Sequence, residues 1–91
     1  MKKYLIERAL PGFENSSPDE FRAAAKTSNA VLEELGPDIQ WIESYVVNDM
    51  TLRVYMARDE EIIREHAEKS GFPITRITEV KTMIGPSTAE S

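Results

Sequence analysis

Ser17-Pro18-Asp19-Glu20-Phe21 is a complete helix start, and its surroundings decide the fold. Ser17 is a natural N-cap, Pro18 suits the first helical position, and Glu20 stands three residues on, where its carboxylate can bond back to the cap. Phe21, Ala24, Ala25, Ser28, Val31, Leu32 and Leu35 follow at 3.6-residue spacing, and Gly36 closes the segment. A second such segment runs from Asp59 through Ile62, Ile63, His66 and Ala67 to Gly71, with Pro73 just beyond. Strand-like runs lie before, between and after: Tyr4 to Ala9, Ile39 to Val47, Thr51 to Ala57 and Ile74 to Met83. The order is β-α-β-β-α-β.

Each helix has one apolar stripe and one charged face, so both must cover the same side of a four-stranded antiparallel sheet. Right-handed crossovers around a tight hairpin then favour strand order 4-1-3-2, the ferredoxin-like arrangement, an α+β sandwich. Residues 1–84 read as its single domain. Gly85-Pro86 ends regular structure, and residues 85–91 form a polar C-terminal tail expected to be mobile unless it docks on a partner.

The chain has 91 residues, 41% of them apolar and 30% charged, as expected of a folded globular domain with a thin core. It lacks cysteine, which removes disulfides, thiolate ligands and cysteine nucleophiles. No apolar run reaches the ~18–20 residues of a membrane span, and Met1-Lys2-Lys3 leads into a strand instead of a signal-peptide core. A cytoplasmic protein with no membrane partner is therefore expected. A net charge of −5 argues against nucleic acid as the main partner.

Alternation divides the strands into faces. Ile42, Ser44 and Val46 share one face of the second strand, and Trp41, Glu43 and Tyr45 the other. In the third strand Leu52, Val54 and Met56 oppose Arg53 and Tyr55. A hairpin loop with an odd number of residues puts the aliphatic sets together under the helices and gathers Trp41, Glu43, Tyr45, Arg53 and Tyr55 on the open face. Glu7 and Glu79 are candidates to join them; parity in the first strand allows either Tyr4/Ile6 or Leu5/Glu7 as core. So aromatic a face implies a covering second subunit, a ligand cavity, or both.

The chemistry-bearing groups are few. His66, the sole histidine, lies on the inward stripe of the second helix, where a hydrogen-bonded core role outweighs a ligand role. Glu7, Glu43 and Glu79 could form a carboxylate cluster, or pair with Arg8, Arg53, Arg76 and Lys81. Phosphate loops, nucleophile elbows and paired-histidine motifs are missing.

Tyr4-Leu5-Ile6-Glu7-Arg8 with Pro11-Gly12, Ile42-Glu43-Ser44-Tyr45-Val46, Val54-Tyr55, Arg64-Glu65-His66-Ala67 with Gly71-Phe72-Pro73, and Pro86-Ser87-Thr88-Ala89-Glu90 come in sequence. In that order they resemble a family of small bacterial proteins described as nickel-binding or nickel-responsive. The resemblance spans nearly the whole chain and implies a ferredoxin-like subunit in a homodimeric α+β barrel. Many members carry cysteine where this chain has Arg53, and aspartate where it has Gly85. A guanidinium in place of a thiolate repels a metal ion, so metal binding is expected to be weak or absent, and no metal ligand is assigned.

Two functions remain open at this level. One is a homodimer that binds a small ligand in a polar-aromatic cavity on the open sheet face, through Glu7, Trp41, Glu43, Tyr45, Arg53, Tyr55 and His66. The other is a cofactor-independent enzyme of the dimeric α+β barrel type, monooxygenase- or isomerase-like, working with Glu43, Arg53, Tyr45 and His66. Any cofactor is unknown. Arg53, beside tyrosine hydroxyls, calls for an anion or a carboxylate or carbonyl oxygen, with Glu43 as its internal competitor.

Overall fold

Both helix starts form as their residues dictate. The computed structural model describes residues 1–90. Helix α1 (Pro18–Leu35) opens on a full capping box: Ser17 Oγ accepts from the Glu20 amide at 3.1 Å, and Glu20 Oε1 accepts from the Ser17 amide at 3.0 Å. Helix α2 (Glu60–Ser70) is capped by Asp59, which accepts from the Ile62 amide at 3.0 Å. It ends at Gly71, whose φ of 76° is the left-handed turn that glycine takes most readily.

The four strands β1 (Lys2–Ala9), β2 (Ile39–Val47), β3 (Met50–Ala57) and β4 (Arg76–Val80) pair antiparallel in the order β2-β3-β1-β4. That is the ferredoxin-like order read from the sequence. Tyr4, Ile6, Ile39, Tyr55, Ala57, Ile62 and Ile63 form the buried core, with Leu32, Leu35, Trp41, Ile74 and Ile77 packed around it. No helix among the described residues is long and apolar enough to cross a membrane.

The face assignment of β3 is reversed from the expectation. The β2–β3 loop is Asn48-Asp49, two residues and not an odd number, with Val47 opposite Met50. Asp49 takes a φ of 60°, and its carboxylate accepts from the Gly12 amide at 2.8 Å. A bulge at Ile42, between Trp41 opposite Tyr55 and Glu43 opposite Val54, then shifts the phase of β2. Thr51, Arg53, Tyr55 and Ala57 are consequently buried beneath the helices, along with Tyr4, Ile6 and Arg8 of β1. Leu5, Leu52, Val54 and Met56, only partly buried, fall on the open face.

β4 is also shorter than expected. It begins after Pro73, with the Thr75 amide bonded to Glu7 O at 2.9 Å, and its pairing stops at Val80. Residues 81–84 continue unpaired, leaving Met83 and Ile84 exposed. Pro86–Glu90 form a 3-10 turn in the expected tail, with Gly85 and Thr88 bonded to each other; Ser91 lies outside the described residues.

Candidate anion-binding site

β1 and β3 are neighbours, and Arg8 stands opposite Thr51 while Ile6 stands opposite Arg53. On the covered face Arg8 and Arg53 are therefore diagonal cross-strand neighbours, within reach of each other's long side chains. Arg8 is 1% exposed and Arg53 4%. Their guanidinium carbons lie 5.0 and 4.9 Å from the centre of the same Phe72 ring, and that of Arg53 is also 5.9 Å from the Trp41 ring. Such stacking recovers part of what a cation loses on leaving water, but it does not neutralise charge.

No carboxylate reaches either group: none of the ion pairs among the described residues includes Arg8 or Arg53. Arg8 Nε donates to Pro73 O at 2.6 Å, and Arg53 has a long 3.5 Å contact from Nη1 to the Tyr55 hydroxyl. Arg8 Nη1, Arg53 Nε and Thr51 Oγ1 are buried without a hydrogen-bond partner among the described residues. Three unpartnered polar groups on adjacent strand positions are unusual in a native interior. Burial, and then the charge on Arg53, push the Arg8 guanidinium down to about 10, with Tyr55 opposing the fall. Arg8 stays protonated at neutral pH, so the covered face holds two uncompensated positive charges.

A cavity of about 210 Å³ reaches the Arg53 and Thr51 side of this cluster, while Arg8 lies outside its lining. Arg53 and Thr51 form its polar end, and Phe13, Phe21, Ala25 and Trp41 its walls. Phe13 and Phe21 meet edge to face with ring centres 5.2 Å apart, and Trp41 is held by its Nε1–H bond to Ser44 Oγ at 2.9 Å. The space is smaller than the ~300–1,000 Å³ of pockets for drug-sized ligands, so it fits a compact molecule. A wider hollow of about 420 Å³ around Arg64, Glu68 and Ile74 lies open to solvent and brings no buried polar side chain with it.

His66 borders the cluster from α2. It is 1% exposed, its ring tilts against Tyr55 at 5.6 Å, and Nε2 lies 3.2 Å from Ser28 Oγ and 3.3 Å from Ser28 O. Burial holds it below its ordinary 6.5; the bond to the Ser28 backbone opposes this, and the charges of Arg8 and Arg53 add to it. It is the hydrogen-bonded core histidine that its apolar stripe suggested.

Of the residues expected to share one site, Trp41, Arg53, Tyr55 and His66 come together, but under the helices and not on the open face. Glu7, Glu43 and Tyr45 are on the other side of the sheet. Glu43 accepts a hydrogen bond from the Tyr45 hydroxyl, and Glu7 stands 3.8 Å from Arg76 Nε. Glu43 and Arg53 cannot pair, because the sheet separates them. Lys81 and Glu79 do pair, at 3.1 Å. Arg8, Thr51 and Phe72 are functional candidates that sequence reading missed. The available signal was the alternation Tyr4-Ile6-Arg8, which puts Arg8 inward once Tyr4 and Ile6 are core. Among the described residues, no three His, Cys, Asp or Glu side chains gather as a metal-binding group.

The sequence profile of the family described as nickel responsive protein SCO4226-like matches residues 4–80. The chain belongs to the SCO4226-like family. The crystal structure of SCO4226 from Streptomyces coelicolor A3(2) superposes with a TM-score of 0.75 at 13% identity, covering 90% of this chain and 99% of that one. At that identity the likeness speaks for the fold. Among curated proteins none matches.

Proposed function

We propose that this SCO4226-like protein is a homodimer that binds a small organic anion in the covered cavity, with Arg53 as the principal anchor. The observation that carries the reading is the guanidinium at the polar end of that cavity, 4% exposed and without an acidic partner among the described residues. A lone buried charge costs several kcal/mol, and an anionic ligand offsets that cost. The residues lining the cavity include no carboxylate or histidine, and His66 is engaged by Ser28, which favours binding over general acid–base catalysis.

The second subunit is inferred from the open face. Ile42 is 49% and Tyr45 53% exposed there, beside Leu5, Val54 and Val80, around a groove of about 330 Å³. Such a surface on a small sheet suits a second copy, and exposed Met83, from the unpaired residues 81–84, lines the same groove. Nickel, the metal of the family's description, does not fit the donors present: a single histidine, engaged by Ser28 and flanked by two guanidiniums, is a poor ligand set.

Thermal-shift titration with small carboxylates such as benzoate tests the reading. The melting temperature of the native chain should rise with ligand, and that of Arg53→Leu should not. Equal shifts in both, or none in the native chain with any anion, would exclude an anion site at Arg53. Calorimetry with nickel should give no tight site; a one-per-subunit site lost in His66→Ala would reverse the metal conclusion.

A further inference from the structure

Arg8, one strand over from Arg53, has no part in a site built on a single guanidinium, yet it is the more deeply buried of the two. We propose that Arg8 is the second arm of this site and that the ligand's head group is a dianionic tetrahedral oxyanion of the phosphate monoester class, carried on a short aryl or apolar body. The proposal rests on the anion-binding reading above and names the ligand's class.

Charge balance argues for two negative charges. A monoanion bonded to Arg53 neutralises one guanidinium and leaves Arg8 as a buried cation beside it. A phosphate monoester carries about −1.5 to −2 at neutral pH and answers both. The donors agree with that count. Arg8 Nε is fixed on Pro73 O, which orients the guanidinium and leaves Nη1 without a partner. Arg53 Nε and Thr51 Oγ1 are likewise unpartnered among the described residues, and Thr51 links the two arginines: it stands opposite Arg8 and two residues before Arg53. Arg53 and Thr51 line the cavity, and Arg8, outside its lining, is diagonal to Arg53 on the neighbouring strand. Two donors and a second nearby cation suit a tetrahedral dianion better than a planar carboxylate.

The apolar walls identify the rest of the molecule. Phe13, Phe21 and Trp41 line the same cavity, and Arg53 is the only charged residue in that lining, so the body that follows the phosphate meets aromatic faces. Phe72 serves both guanidiniums at once. It contacts both cations without adding a carboxylate that would compete with the ligand.

Calorimetric titration of the native chain with phenyl phosphate, phenyl sulfate and benzoate at pH about 7.5, above the phosphate's second pKa of about 6, tests this. The two phenyl esters share a tetrahedral head and an aryl body and differ by one charge. Phenyl phosphate should bind at least about tenfold more tightly than phenyl sulfate, the worth of one charge-assisted hydrogen bond. Arg8→Gln should abolish that preference while leaving weak binding of both, and Arg53→Gln should abolish both. Equal affinity of the two esters in the native chain, or a preference that survives Arg8→Gln, overturns the dianion site. If Arg53→Gln still removes binding in that case, the simpler anion reading stands. No binding of any of the three overturns both. If Arg8→Gln fails to fold by circular dichroism, the ratio between the two esters in the native chain decides alone.

Discussion

Beneath the helices the sheet holds Arg8, Thr51 and Arg53 among Tyr4, Ile6 and Tyr55, whereas its open face presents Leu5, Leu52, Val54 and Tyr45. A two-layer α+β sandwich ordinarily has these the other way round, with aliphatic side chains under the helices and charges toward water. The difference is informative because neither face is self-sufficient. The covered face has donors and positive charge to spare, which an anion answers. The open face has apolar area to spare, which another apolar surface answers. On the proposed function, one sheet separates the recognition of a small ligand from that of a second copy, and a change on one side should leave the other largely intact.

The largest effect is expected on the open side. Val54→Asp puts a carboxylate in the middle of the apolar groove, next to Glu43 and Tyr45. Burying it in an interface costs roughly 3 kcal/mol or more, so association should weaken by more than about a hundredfold. Light scattering at micromolar concentration should show a dimer for the native chain and a monomer for the variant. The Arg53-dependent response to anions should persist in that monomer. A native monomer at that concentration would remove the partner from the comparison.

What the sequence made legible follows the range of the interactions. The caps at Ser17 and Asp59 and the stops at Gly36 and Gly71 depend on residues within a turn of each other, and they formed as read. Strand order followed from the helices and the hairpin. The faces did not, because register has period two, and a single residue more or less in the loop or strand inverts it. The two-residue loop at Asn48-Asp49 and the bulge at Ile42 together determined where Arg53 points. Aliphatic Leu52, Val54 and Met56 looked like core because burial usually favours them, and Arg8 looked like surface charge for the same reason. A protein that reverses this habit at its site is read wrongly there by any argument from habit.

The next effect tests the covered face by removing its charge altogether. Replacing Arg8 and Arg53 together by methionine keeps stems of comparable length and deletes two uncompensated buried cations. In chloride buffer without phosphate, urea unfolding should show a gain of about 1–3 kcal/mol, since apolar replacement of buried charge is commonly neutral to stabilising. The loss of the Arg8 bond to Pro73 O works against this gain, by about 1 kcal/mol. A large loss of stability would mean that the two arginines hold the fold rather than await a ligand.

A smaller effect appears with pH. His66 is held below its ordinary 6.5 in the folded protein, first by burial. Between the folded and the ordinary value the unfolded chain binds the extra proton, so stability rises with pH across that window and is lost as pH falls below 6.5. The melting temperature should therefore begin to drop just below that pH, and His66→Gln should flatten this part of the curve. Bound anion should soften the drop in the native chain by shielding the charges of Arg8 and Arg53, which add to the depression.

The smallest effect compares arginine with arginine across the sheet. Arg76 stands directly opposite Glu7 on the open side, with Nε 3.8 Å from Oε2 and the two side chains 71% and 29% exposed. The pair is long, hydrated and free to move, so its Coulomb attraction is screened and partly cancelled by the entropy of holding two flexible side chains together. In the Val54→Asp monomer, Arg76→Gln should change unfolding free energy by no more than about 0.5 kcal/mol and leave anion binding as it was. The same residue type on the covered face should govern the ligand response altogether, because there no water screens it and no glutamate answers it. A change above about 1 kcal/mol for Arg76→Gln would mean that the open-side pair is also desolvated, and the contrast between the two faces would then be one of sign and packing, no longer one of hydration.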